Sequence, residues 1–272
     1  MKIKYVKIFC FLIFISCGKE KPPVPLLGYD IFLIAGQSNT FNGKYIDPVL
    51  DKYDLRVLQL GRRDGFDYKL LLAIEPLHHH SYSDSLNGFA LSFAKLYADS
   101  YLENGRKVLL IPCAENGSGF INGRWNRGNP LFVDAVKRVS FCVNAFPGSR
   151  VKGILWHQGE ADKSFGTFYQ SLLESMIIAM RKDIKMNTGQ DSIPFIAGGL
   201  VPFWIKSNPQ YAIIDSVLRA LPVSTQLTGF ADAHKPFVIR KLNDEDDPIH
   251  FDAAGQREMA RRYFEEYKKL HK

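Results

Sequence analysis

The sequence predicts an α/β fold: a central parallel sheet of about five strands with helices on both faces. Three observations carry this. Short apolar runs alternate with longer stretches of helical spacing. The runs are continuous, as expected for strands buried on both faces. Polar, glycine-bearing clusters follow those runs directly, where ligands bind in parallel sheets.

Strands are expected at residues 30–35, 55–60, 107–112, 151–156 and 194–198. Helices fall between them. Phe89, Phe93, Leu96, Tyr97 and Tyr101 share a face that stops at Asn104-Gly105. Asn129-Pro130 predicts an N-cap and first helical position for a helix through Phe146. Thr167 with Gln170 fits a capping box opening a helix toward Asn187. Asn208-Pro209 repeats the cap-then-proline signal, and Asp252 caps a last helix with Met259, Tyr263, Tyr267 and Leu270 on one face.

Apolar residues make up 46% of the 272 positions and charged residues 23%, the balance of a chain that buries a core. No repeat or low-complexity stretch argues for a solenoid or a disordered tail. The formal charge is +7, of which Lys2, Lys4 and Lys7 carry three and the rest of the chain +4. The other basic residues are scattered or interleaved with acids, so nucleic acid is not an expected partner.

Those three lysines precede the apolar run from Ile8 to Ile15, and Ser16-Cys17 and a polar, proline-bearing stretch follow. That is the layout of a secretory signal peptide. The run is shorter than the ~20 residues that cross a bilayer as a helix. Phe14-Ile15-Ser16-Cys17 resembles a bacterial lipobox, with Phe14 where Leu is usual. Residues 1–16 are therefore expected to be a signal peptide, Cys17 a lipidation site, and residues 17–27 a tether. The protein would be exported and lipid-anchored in the bacterial cell envelope, touching the membrane only through that anchor. Cys113 and Cys142 remain in the folded part, as two buried thiols or as a disulfide, and the spacing does not decide between them.

The chemistry lies after the strands. Gly36-Gln37-Ser38-Asn39 follows the first, Glu115-Asn116-Gly117-Ser118-Gly119 the third, and His157-Gln158-Gly159-Glu160 the fourth, while Asp247-Pro248-Ile249-His250 precedes the last helix. A serine hydroxyl needs a base to take its proton, and the base needs a carboxylate to hold its imidazole. Ser38, His250 and Asp247 supply the three parts, with Asp247 and His250 close enough in sequence to share one loop. The backbone N–H groups of Ser38 and Gly117 and the side-chain amide of Gln158 are candidate oxyanion donors. Gln37, Asn39, His157 and Glu160 are supporting or substrate-binding candidates. Glu160 is also an alternative partner for His250, and Glu160 and Asp162 read more readily as loop braces. Trp125 either stacks on a sugar or belongs to the core. His78-His79-His80 has no ligand spacing for a metal and reads as a solvated loop or substrate rim.

The four blocks together resemble the SGNH-hydrolase superfamily, and within it the sialic acid O-acetylesterase-like group that includes carbohydrate esterase family 6. The resemblance rests on Gly36-Gln37-Ser38-Asn39, on Pro112-Cys113-Ala114 leading to Gly117, on Trp156-His157-Gln158-Gly159-Glu160, and on Asp247-Pro248-Ile249-His250-Phe251. It implies a flavodoxin-like three-layer α/β/α sandwich over residues 28–272, with neither cofactor nor metal. It makes Ser38 the nucleophile, His250 the base and Asp247 its orienter, with Gly117 and Gln158 completing the oxyanion hole. The implied substrate is an acetylated carbohydrate: acetylxylan, another plant glycan, or sialic acid. Asn116 departs from the second glycine common at that block. A lipase or thioesterase of the same superfamily, and a non-catalytic glycan-binding surface lipoprotein, are the alternative functions. The oligomeric state is not encoded in these blocks.

Overall fold

β1 (Tyr29–Gly36) is buried at all eight positions, because it lies at the middle of the sheet with a helical layer on each face. The computed structural model describes residues 27–82, 84–241 and 247–271. The expected signal peptide, Cys17 and all of the tether except Leu27 lie outside the described residues.

In chain order the elements after β1 are β2 (Gly43–Lys44), β3 (Val57–Leu60), β4 (Leu70–Leu72), β5 (Leu86–Asn87), α1 (Phe89–Tyr101), β6 (Lys107–Pro112), α2 (Pro130–Ala145), β7 (Arg150–His157), α3 (Phe168–Thr188), β8 (Phe195–Gly198), α4 (Pro202–Ser207), α5 (Pro209–Ser224), β9 (Thr228–Ala231) and α6 (Ala253–Leu270). The main sheet runs β4-β3-β6-β1-β7-β8-β9, and β2 with β5 forms a small ribbon. Within the main sheet β4 alone is antiparallel. The sheet is thus seven-stranded and mixed, where sequence predicts about five parallel strands. β4 and β9 have three and four residues, too few to show a period.

From β1 the chain fills one side of the sheet, returns to β6 beside β1, and then crosses to build the other side from β7 outward. The winding reverses at β1. In sheets of this kind ligands bind beyond the carboxyl ends of the strands at such a reversal, here beside the loops after β6 and β7. α1 packs on α6 over one face, and α2 with α3 covers the other. Phe32 of β1 meets Phe93, Tyr97 and Tyr267 edge-to-face at 4.8–5.5 Å. At the opposite end of the sheet, buried Asp30 accepts from Tyr97 and Arg106 at 2.7 and 2.8 Å.

Two expected caps form: Asn208 accepts from the Gln210 N–H and Asp252 from the Gly255 N–H. Two do not. Asn129 occupies the cap position without a side-chain bond, and Pro130 alone sets the first turn. Thr167 already has helical angles, and Gln170 turns to Glu174 instead of reaching back. Cys113 and Cys142 are buried free thiols, pushed up to about 12 by burial.

β1 ends in a close approach to β7. Gly36 has φ +131°, and a Cβ there would lie 2.1 Å from the His157 carbonyl oxygen. The Gly36→Ala substitution is expected to cost at least about 2 kcal/mol and lower Tm by ~4 °C or more. A melting curve that overlays the wild type would refute the contact.

Candidate active site

Gly36 hands the chain to Gln37 in extended geometry, and a 3-10 turn over Ser38–Thr40 follows at once. Hydrogen bonds from Thr40 N to Gln37 O and from Phe41 N to Ser38 O close the turn. Ser38 is 7% exposed, at the carboxyl end of the central strand. As the first residue of the turn, its N–H has no acceptor among the described residues.

The loop before α6 carries Asp247 and His250. The imidazole Nδ1 lies 2.9 and 3.0 Å from the two Asp247 oxygens. With Nδ1–H donating to that carboxylate, Nε2 is left as the acceptor a base requires. Asp247 Oδ1 also accepts the backbone N–H groups of Ile249 and His250, each at 3.2 Å. Burial pushes the Asp247 carboxyl up, but the His250 hydrogen bond and charge outweigh it and hold it below the usual range.

Asn39 joins the two loops. Its Oδ1 accepts from the Phe251 N–H at 3.0 Å, and its Nδ2 donates to Ile249 O at 2.8 Å. The residue after Ser38 thus grips the peptide groups on both sides of His250, across more than 200 residues of chain. Ser38 Oγ and His250 Nε2 have no hydrogen-bond partner among the described residues.

The loop after β6 hangs on the same strand end. Gly36 O accepts from Glu115 N at 3.2 Å and from Ser118 Oγ at 3.0 Å. Gly117 adopts φ +64° with open space where a Cβ would stand. Its carbonyl accepts from Asn122 at 2.9 Å, while its exposed N–H has no acceptor among the described residues. Asn116, which stands where a second glycine is common, accepts from the Asn42 side chain at 3.3 Å.

Gln158 departs from expectation. Its Nε2 faces Asp162 Oδ2 at 2.7 Å, Gln37 Oε1 at 3.2 Å and Ser118 O at 3.3 Å, and its Oε1 accepts from Tyr169 at 2.9 Å. Two N–H bonds already face three acceptors in a fully buried setting, so in this arrangement Gln158 ties loops together and offers no open donor. Gln37 belongs to the same network through Ala161 N at 3.2 Å. Asp162 accepts from the Phe120 and Ile121 N–H groups, the loop-bracing role its position suggests.

Trp125 is fully buried against Trp156, with its N–H on Ser118, and cannot meet a sugar. His157 is buried beside Tyr263, with its pKa driven down to about 3 by desolvation, and lies behind the site as a neutral ring. His79 is not solvated. It stacks on Phe41 at 4.8 Å and accepts from Ala114 N, while Ser81 accepts from Asn116 N. His80 pairs with Asp134. His79 and His80 therefore wall the Gly117 loop. Nothing in the spacing signals these wall contacts, nor the part of Tyr169.

Glu160 is 3% exposed and accepts from Asn39 Nδ2 at 2.5 Å, while its Oε2 has no partner among the described residues. Burial pushes this carboxyl up to about 7 against the Asn39 hydrogen bond.

The solved structure of NanS superposes on 92% of this chain and 99% of its own, with TM-score 0.78 and 20% identity. A carbohydrate acetylesterase from Xanthomonas citri covers 89% of this chain with TM-score 0.61 and 15% identity, this chain spanning 56% of it. These likenesses show a shared fold, a mostly parallel sheet flanked by helices. Residues 28–269 match the model of the family described as "Carbohydrate esterase, sialic acid-specific acetylesterase", and the chain belongs to that family. It is thereby a carboxylic ester hydrolase of the carbohydrate acetylesterase kind. A curated Arabidopsis thaliana relative, named a probable carbohydrate esterase, is 26% identical over 187 residues, covering 60% of this chain and 69% of its own.

The raised Glu160 pKa sets a pH dependence of stability. Below about 4.5 the group is protonated folded and unfolded, and its contribution is intact. As pH rises toward about 7 only the unfolded state releases the proton, so stability is lost across that window. Glu160→Gln is expected to remove this component, worth up to about 1.4 kcal/mol per pH unit. Parallel denaturation curves for both proteins at every pH from 4 to 8 would refute it.

Proposed function

We propose that the protein is a serine esterase that removes O-acetyl groups from carbohydrate, with Ser38 as nucleophile, His250 as base and Asp247 as its orienter. The observation that carries this reading is the Asp247-held imidazole on a loop bonded through Asn39 to the Ser38 turn. His250 Nε2 takes the proton as Ser38 Oγ attacks the acetyl carbonyl. The oxyanion is received by the N–H groups of Ser38 and Gly117. Collapse expels the sugar hydroxyl, which takes the proton from His250 and leaves an acetyl-enzyme. Water activated by the same imidazole then releases acetate and restores the serine.

The substrate is an acetyl ester on xylan, another plant glycan or sialic acid, consistent with the family description. The amino-terminal sequence supports export and lipidation at Cys17, which would hold the enzyme on the bacterial envelope; no helix among the described residues is long and apolar enough to cross a membrane. Palmitate labelling lost in Cys17→Ser would support that placement, and labelling retained in the variant would contradict it.

Ser38→Ala is expected to lower kcat for acetate release from a chromogenic acetyl ester by about 1,000-fold or more. Retained turnover would refute the nucleophile. In a series of acyl lengths, acetyl is expected to exceed butyryl and longer groups by about tenfold or more. Preference for long chains would favour a lipase or thioesterase.

A further inference from the structure

We propose that Asn39, oriented by Glu160, is the positioning residue that holds His250 over Ser38. The inference rests on the reading of Ser38 and His250 as nucleophile and base, and assigns the neighbouring pair a task of its own.

The Asn39 side chain is completely buried, and every polar group on it is engaged. Oδ1 takes the Phe251 N–H at 3.0 Å. The two Nδ2 protons go to Ile249 O at 2.8 Å and Glu160 Oε1 at 2.5 Å. These partners fix which end of the amide is which, since a flipped amide would set oxygen against oxygen at two of the three contacts. The backbone carbonyl of Asn39 accepts from Gln256 on α6 at 2.9 Å, tying the turn to the helix that follows the histidine loop. His250 is therefore suspended between two peptide groups held by one side chain, with Asp247 holding its ring from a third side.

Among the described residues Glu160 has one side-chain partner, Asn39, and a second oxygen that is buried with none. A buried carboxyl is costly unless paired. Among the described residues this one caps no helix through its side chain and makes no ion pair; besides its own backbone N–H, the group it meets is the Asn39 amide. It is not the carboxylate that orients the imidazole, because Nδ1 is already shared between both oxygens of Asp247 and Glu160 makes no hydrogen bond to His250. Glu160 fixes Asn39, Asn39 fixes the loop, and the loop aims the base. Misplacement of a catalytic group by about 1 Å can cost ~100-fold in rate, so a small amide has large leverage here.

The test is a set of purified variants of the exported chain, assayed for kcat and KM on a chromogenic acetyl ester, with folding checked by thermal melting. Asn39→Ala is expected to lower kcat about 100-fold while KM stays close to wild type, because aim is lost and the acyl pocket is not. Glu160→Ala is expected to follow it. Glu160→Gln still presents an oxygen to Nδ2 and is expected to lose less than about tenfold, whereas Asp247→Asn falls much further. Wild-type kcat in folded Asn39→Ala would overturn the proposal. So would Glu160→Gln falling as far as Glu160→Ala, the pattern of a carboxylate that stabilises the imidazolium directly. If Asn39→Ala fails to fold, the two Glu160 variants decide. Ser38→Ala, run alongside, separates the two levels: activity in that variant sinks the nucleophile itself, while its loss with normal Asn39 and Glu160 variants sinks the positioning pair alone.

Discussion

One buried amide holds the candidate site together. The serine turn and the histidine loop belong to opposite ends of the chain, and the hydrogen bonds of Asn39 to Ile249 and Phe251 bring them into register. Ordering two loops costs conformational entropy at every residue. A side chain that satisfies a peptide group on each side of the histidine offsets part of that cost where accuracy matters. Burial sharpens the device, since an unmade bond in this setting carries the full desolvation penalty of the group left behind.

The sheet supplies the frame in which so small a clamp suffices. Because winding reverses at β1, the loops after β6 and β7 flank the turn that follows β1. The Gly36 carbonyl receives two bonds from the β6 loop, and the Gln37 N–H donates to His157 O at the end of β7. The Ser38 turn, glycine loop and Gln158 network thus share the end of one strand. The open donors are backbone N–H groups. The Gln158 amide, expected as a donor, is turned inward onto Asp162, and of the two readings of Trp125 the core one holds, with its N–H on Ser118.

Much of this was legible in the sequence. Continuous apolar runs marked β1, β3, β6, β7 and β8, because strands buried on both faces have no polar alternation to blur them. β4 and β9 were not legible: three and four residues carry no period, and β9 includes Gly229. Asp252 could be read as a cap because a single local bond decides it. Thr167 could not, because Gln170 found Glu174 one turn on. The same distinction holds at the site. The Asp247–His250 contact is local and follows from spacing. The Asn39 contacts, the stacking of His79 on Phe41 and the enclosure of Trp125 depend on tertiary packing that no spacing encodes.

The account stands on one claim, that the Ser38 hydroxyl is singled out and activated by the imidazole of the distant loop. Its most direct test is covalent: treatment of the native protein with a fluorophosphonate, followed by intact mass measurement and peptide mapping. The account predicts a single adduct on Ser38, formed at a rate that falls sharply when His250 is replaced by alanine. An adduct on another residue, or equal labelling without His250, would contradict it.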